Sequence, residues 1–263
     1  MKTFRAAALA GALAAVVGTS QATPVALELS LVIDVSGSVS TTEYNTQRDG
    51  YKNAFLDPAV QAGILSFAGM GGIAVNVVQF GTNAAQVISW TQLLTATDIT
   101  NFAATLGAMA RSGGVGTSTD VQDGIVVSTA TFANDFEGAR LVMDVSGDGH
   151  QNTDPACSFG APDPCAAVQA ARDAAAAAGI VINGLPIEDG TYGTDGLTQW
   201  YKLNVKTATG FVETAAGFED FERAVTRKIG REVVGVPEPA SLALVGLGLA
   251  GLVGARRRKS QQA

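Results

Sequence analysis

The chain has 263 residues, 47% of them hydrophobic and 16% charged, a composition that excludes an intrinsically disordered protein. Its formal net charge is −7 with one histidine, an acidic balance that argues against nucleic acid or anionic lipid headgroups as partners. Taken in chain order, Met1 to Ala22 opens with Lys2 and Arg5, continues as "AAALAGALAAVV" and ends in "SQA". A positive start, a short apolar core and small residues at a cleavage point read as a secretory signal peptide over 1–22.

Past that segment, strand and helix patterns alternate. "ALELSLVIDV" is an apolar strand ending near Asp34. "TTEYNTQRDGYKNAFLD" reads as a helix with Thr41 or Thr42 as N-cap and Glu43 in its first turn. "GIAVNVVQFG" is a second strand, and "AQVISW" a third, paired to it as a hairpin across "GTNA". "TDITNFAATLGAMA" is a helix capped by Thr97 or Asp98, followed by the glycine-rich loop "GGVGTSTD" and the helix "VQDGIVVSTATFAN". Asp120 and Asp123 are expected to cap and line the start of that helix. "ARLVMDVSG" is a fourth strand, "CAAVQAARDAAAAAG" a helix ended by Gly179, "IVINGLPI" a fifth strand and "GFVETA" a short sixth. "FEDFERAVTRKIGREVV" closes with an amphipathic helix. Trp90 and Trp200 read as packing residues, and His150 as an exposed loop residue. Strands alternating with helices predict an α/β fold with a doubly wound, mostly parallel central sheet flanked by helices. Continuous apolar strands fit a sheet covered on both faces. In such sheets ligands bind outside the C-terminal ends of the strands.

The chain ends differently from its middle. Pro237, Glu238 and Pro239 break the last helix; Ala240 to Ala255 is an uncharged apolar run, and Arg256, Arg257, Arg258 and Lys259 follow. The run reaches roughly 24 Å as a helix, short of the ~30 Å hydrocarbon core. A basic cluster after it stays cytoplasmic, so the preceding domain lies outside. Pro-Glu-Pro, a short apolar helix and an arginine cluster together resemble the PEP-CTERM sorting tail. That resemblance implies, for residues 236–263, transient membrane association, removal by an exosortase, and a cell-surface or extracellular-matrix destination in an exopolysaccharide or biofilm setting. An ordinary anchor that is never cut is the alternative.

Setting aside the signal and tail leaves one domain, residues 23–235, with 11 basic and 23 acidic residues, a net charge of −12. Such a domain suits cations. Its two cysteines, Cys157 and Cys165, flank a Gly/Pro/Asp loop, and in an exported protein that spacing predicts a disulfide. With one histidine, a zinc site of the Cys/His type lacks ligands.

Three loops that follow strands or precede a helix carry oxygen donors. The first holds Asp34, Ser36 and Ser38; the second holds Thr117 and Thr119; the third, "DVSGDG", holds Asp144, Ser146 and Asp148. Hydroxyls and carboxylates without His or Cys suit Mg²⁺, Mn²⁺ or Ca²⁺. In Asp34-x-Ser36-x-Ser38 alternate side chains point the same way, and Gly37 can take a positive φ and bring the backbone close to the ion. These residues resemble the von Willebrand factor type A (vWA) domain, whose metal-ion-dependent adhesion site reads Asp-x-Ser-x-Ser, then a Thr in a glycine-rich loop, then Asp-Gly after a central strand. The resemblance implies a divalent cation, Mg²⁺ foremost, held by Asp34, Ser36, Ser38, Thr117 and Asp148, with Asp144 as the competing last carboxylate. It also implies a binding module that engages a carboxylate on a protein or polysaccharide partner.

Two other functions compete. A matrix protein whose metal only holds loops together would use the same residues. A Mg²⁺-dependent hydrolase is disfavoured, because Ser36 stands where such enzymes carry a second aspartate after Asp34. There is also no Gly-x-Ser-x-Gly elbow, and a single histidine makes a Ser-His-Asp triad improbable. The expectation is therefore a protein that is not an enzyme.

Overall fold

The computed structural model describes residues 22–157 and 164–234; the expected signal peptide, apart from Ala22, and the sorting tail lie outside the described residues. Strand β1 (Thr23–Val25) leads into β2 (Leu27–Asp34), every residue of which is buried. Helices α1 (Thr41–Leu56) and α2 (Pro58–Leu65) follow, then β3 (Ile73–Phe80) and β4 (Ala84–Leu93). Next come α3 (Ala96–Ala108), α4 (Val121–Thr131), β5 (Phe136–Gly138) and β6 (Leu141–Gly147). The described chain closes with α5 (Ala166–Ala177), β7 (Ile180–Pro186), α6 (Gly196–Asn204) and α7 (Phe221–Val234).

Five strands form the central sheet in the order β4-β3-β2-β6-β7, and only β4 runs antiparallel to its neighbour. The expected doubly wound sheet is thus present. A two-stranded parallel sheet of β1 and β5 stands beside it. The strand order reverses at β2, whose two neighbours β3 and β6 are reached in opposite directions along the sheet. The loops leaving β2 and β6 therefore part at the C-terminal edge, where this class of sheet opens a crevice.

Alternation along β2 sorts its side chains between two cores. Leu27, Leu29, Leu31 and Ile33 join Tyr51, Phe55, Phe102, Phe221 and Ile229 on one face. Val32 joins Phe80, Ile125, Val145, Val168 and Trp200 on the other. Trp200 is the packing residue expected, and Trp90 packs edge-on against Phe132 while donating its N–H to the Thr131 carbonyl.

Several boundaries differ from the sequence reading. Ser40, rather than Thr41 or Thr42, caps α1, in a capping box with Glu43. Thr95 caps α3 through the same device with Asp98. Helix α2 was not anticipated, although Asp57 accepts from Ala59 and Val60 and Pro58 occupies its first position. The segment Gly210–Ala215 is not a strand but touches β7 through isolated bridges at Val212 and Ala215.

One buried ionic group joins α7 to the sheet. Lys228 pairs with Asp144 on β6 and with Glu232 one turn on (2.7 Å), and all three side chains lie out of solvent. Asn183 on β7 donates to Glu232 at 2.8 Å. One lysine cannot neutralise two buried carboxylates. Burial, reinforced by the field of Asp144, pushes Glu232 from 4.5 up to about 7, with Lys228 pulling back.

Removing Lys228 would strand both carboxylates. Lys228→Met should lower the unfolding free energy by about 3–5 kcal/mol, read by urea denaturation at pH 7. Glu232 retains a proton in the folded chain that the unfolded chain releases, so its contribution is full below pH 4.5 and declines as pH rises toward about 7. Glu232→Gln should flatten that decline, and an unchanged pH profile would count against the assignment.

Candidate metal centre

Parallel pairing of β2 with β6, which ends at Ile33 opposite Ser146, delivers Asp34 and the "SGDG" turn to the same edge of the sheet. Asp34 is the last residue of β2 and fully buried. Its Oδ1 accepts the Ser36 N–H at 2.8 Å, which turns the chain immediately after the strand. Its Oδ2 is buried with no hydrogen-bond partner among the described residues. Gly147 makes room for that oxygen, since a Cβ there would lie 2.7 Å from it. Gly37 does not use the positive φ open to a glycine. Its role is close approach, for its N–H donates to the Thr117 carbonyl at 2.7 Å and a Cβ would meet that oxygen at 3.1 Å.

The hydroxyls form a chain across three loops. Ser36 Oγ lies 3.1 Å from Ser38 Oγ, Ser38 donates to Asp148 Oδ1 at 2.7 Å, and Thr119 donates to Ser36 Oγ at 3.1 Å. The threonine that reaches the cluster is thus Thr119, not Thr117. Thr119 is buried; Thr117 is exposed and contributes its carbonyl to Gly37 instead. The reason is local: "GTSTD" runs into the Asp120 cap of α4, and the residue one before the cap is the one turned inward. Asp148 stands in the cluster, whereas Asp144 is spent on Lys228 deeper in the sheet.

Supporting residues were not legible in the sequence. Asn152 grips Thr119 in both directions, its Oδ1 accepting the Thr119 N–H at 2.8 Å and its own N–H donating to the Thr119 carbonyl at 2.9 Å. Gln151 and Thr153 donate to the Asp120 carboxylate, which fastens the loop after β6 to the start of α4. The Arg111 guanidinium holds the Val35 and Ser36 carbonyls from the outside. His150 is buried rather than exposed: its ring stacks on Tyr192 at 4.0 Å and on Trp200 at 4.9 Å, and burial lowers it to about 4. The Cys157–Cys165 disulfide is formed and closes the loop beyond.

The electrostatics favour a cation. Burial first, then Asp148, raises Asp34 to about 7, with the Ser36 N–H and Arg111 pulling it down. Burial also raises Asp148, against the Ser38 hydrogen bond, and Asp189 and Glu43 add to the rise. Beside the cluster opens a cleft of about 770 Å³ whose lining includes Glu43, Glu188, Asp189, Asp195, Glu219 and Asp220. Its one arginine, Arg223, is already paired with Asp220. The donor set consists of oxygens alone, two of them carboxylates, and it fits a hard divalent ion. Asp34 Oδ2 in particular is a desolvated acceptor that wants a charge.

Known proteins agree with this fold. The family described as "Protein of unknown function (DUF1194)" matches residues 24–237, and the PEP-CTERM protein-sorting motif matches residues 235–259. That motif indicates export, exosortase processing and a cell-surface or matrix location. No curated protein matches the chain. Among solved structures, the chain is similar to proximal thread matrix protein 1 from the mussel byssus, in a form with a zinc-occupied MIDAS motif, with TM-score 0.58 and 16% identity over 82% of this chain and 50% of that one. It is also similar to the pilus adhesin SpaC from Lactobacillus rhamnosus GG, with TM-score 0.55 and 16% identity over 82% of this chain and 32% of that one. BatB from Bacteroides thetaiotaomicron matches with TM-score 0.53 and 14% identity over 80% of this chain and all of that one. The chain therefore spans about half of the byssus protein and a third of the adhesin. The fold is vWA-like.

Two threonine variants separate the ligand assignments. Thr119→Ala should weaken Mg²⁺ or Mn²⁺ binding by roughly tenfold or more, by analogy with the loss of groups that orient a metal. Thr117→Ala should leave binding close to wild type. Calorimetric titration reads both, and the reverse ranking would restore Thr117 as the ligand.

Proposed function

The chain belongs to the DUF1194 family, and we propose that it is an exported adhesion module that binds a carboxylate on a protein or polysaccharide partner through a divalent cation. The cation, Mg²⁺ foremost and Mn²⁺ or Ca²⁺ next, would be held by Asp34, Ser36, Ser38, Thr119 and Asp148. The observation that carries this reading is the convergence of those five oxygen-bearing side chains from three separate loops, with a buried oxygen of Asp34 left without a hydrogen bond among the described residues.

When bound, the ion supplies Lewis acidity toward an incoming oxygen anion. The chain's own groups do the rest. Three neutral hydroxyls and two carboxylates leave a divalent ion with little surplus negative charge around it, so an external carboxylate still gains by joining. Ser38, exposed at the mouth, marks the open side. Arg111 and Asn152 hold the loops in register, which lowers the ordering cost of binding. The domain lies in one exported chain with a processed tail, so a separate domain spanning 23–235 would be what remains at the cell surface. Similarity to a thread matrix protein and to a pilus adhesin supports a binding role over a catalytic one.

A purely structural metal is the second reading, favoured by one fact: the hydroxyl chain already ties the three loops to one another. The two separate cleanly. Capture of partner from the producer's extracellular matrix should be lost on adding chelator and lost in Asp34→Ala, while the circular dichroism of that variant stays native, because the core lies in the strands. Capture that survives both treatments overturns the adhesion reading; a variant that binds no metal and also unfolds supports the structural one.

A further inference from the structure

Residues 58–97 contain no Asp, Glu, Lys or Arg. With 16% of the chain charged, about six would be expected in a stretch of that length for ordinary composition. The stretch builds α2, the interior strand β3 and β4, which is one edge strand of the sheet. The exposed apolar residues Leu65, Met70 and Leu94 all fall within it, Met70 at 57% exposure. Met70 and Leu94 flank the end of β4, where Gln92 donates to the Gly71 carbonyl at 2.7 Å.

The two edges of the sheet are treated differently. β7 is covered by the segment 207–215: Gly184 donates to the Phe211 carbonyl, Glu213 to Gly184, Ala215 to Pro186 and Thr207 to Ile182. β4 has no such cover. Among the described residues its main chain bonds only to β3, apart from the Ala84 N–H given to Asp123 and the Ser89 carbonyl that takes the Thr91 hydroxyl. An open edge strand presents a row of main-chain donors and acceptors to another strand, and lysines usually guard it. Here Gln86 and Ser89 are exposed along the strand and none of its ten residues is charged. Two register shifts against β3 break the ladder into short segments, which limits how far a neighbour can pair.

We propose that the β4 edge is a self-association surface, on which a second copy of this chain adds its own β4 antiparallel across a two-fold axis. The charge distribution selects that occupant. Residues 23–235 carry a net charge of −12, so two copies repel over most of their surface and can approach closely only where no charge lies. A two-fold places the same uncharged strand on both sides, which makes the contact self-complementary and closed. The candidate metal centre stays outside the pairing strand, so a dimer presents two cation sites.

The test is sedimentation of the full chain in a nonionic detergent, wild type against Gln86→Lys/Ser89→Lys, with Val126→Lys on α4 as a control at an exposed apolar site. Wild type and Val126→Lys should form dimers. The double lysine variant, with an unchanged urea midpoint, should dissociate at least tenfold more readily. Raising NaCl from about 50 to about 500 mM should strengthen the wild-type dimer, because salt screens the repulsion between like-charged copies. The apolar tail is identical in all three proteins, so association that survives the two lysines runs through another surface and overturns the proposal. A wild-type monomer, or a dimer weakened by salt, does the same. If the double variant unfolds, Gln86→Lys alone, at an exposed position of the same strand, decides by the same readout.

Discussion

Parallel pairing of β2 with β6 sets where everything else can happen. It places Asp34 at the end of one strand and Asp148 just past the end of the other, in the crevice where the sheet reverses its winding. Two carboxylates brought that close out of water repel each other, and burial raises both above their ordinary range. Polar groups around them relieve only part of that cost: the Ser38 hydroxyl serves Asp148, the Ser36 N–H serves one oxygen of Asp34, and the other oxygen has no hydrogen bond among the described residues. The loops are bound to each other by the same hydroxyls, so the strained charge pair is preorganised rather than free to move apart.

A second buried charge group shows the opposite solution. Asp144 lies on β6, four residues before Asp148, which follows the end of that strand, and it faces Lys228 of α7. Both aspartates follow an apolar run, and the sequence favours Asp148 as the metal-site carboxylate while leaving Asp144 as its competitor. A buried lysine pairs with the first, and the Ser38 hydrogen bond ties the second into the hydroxyl cluster. Where a lysine is packed against the sheet, the carboxylate is structural; where only hydroxyls meet it, the charge remains to be satisfied.

Charge also partitions the surface. The cleft beside the cluster gathers acidic residues from α1 and from the loops after β7 and before α7, which draws cations toward the crevice. The β4 edge of the sheet carries no charged residue along its strand. The covered β7 edge and the open β4 edge differ because the chain has a later segment to lay against β7, while β4 is followed at once by a helix that packs on the face of the sheet.

The sequence by itself determined the alternation of strands and helices, the winding of the sheet, the Asp34-Ser36-Ser38 turn, the cysteine pairing and the sorting motif at the end of the chain. Each of these is written in local pattern: apolar period, spacing of oxygens after a strand, or a short motif with its own chemistry. Tertiary structure decided what local pattern cannot carry. It selected Thr119 over Thr117, because only the residue beside the Asp120 cap is turned inward by Asn152. It separated Asp148 from Asp144, because the lysine that claims Asp144 lies some eighty residues further along the chain. It buried His150 between two aromatic rings from a distant segment. It reduced "GFVETA" to isolated bridges: the segment bonds along β7 at scattered positions but does not run as a continuous ladder. Sequence names the groups available to a site, and contacts between residues far apart in the chain settle which of them a charge will find.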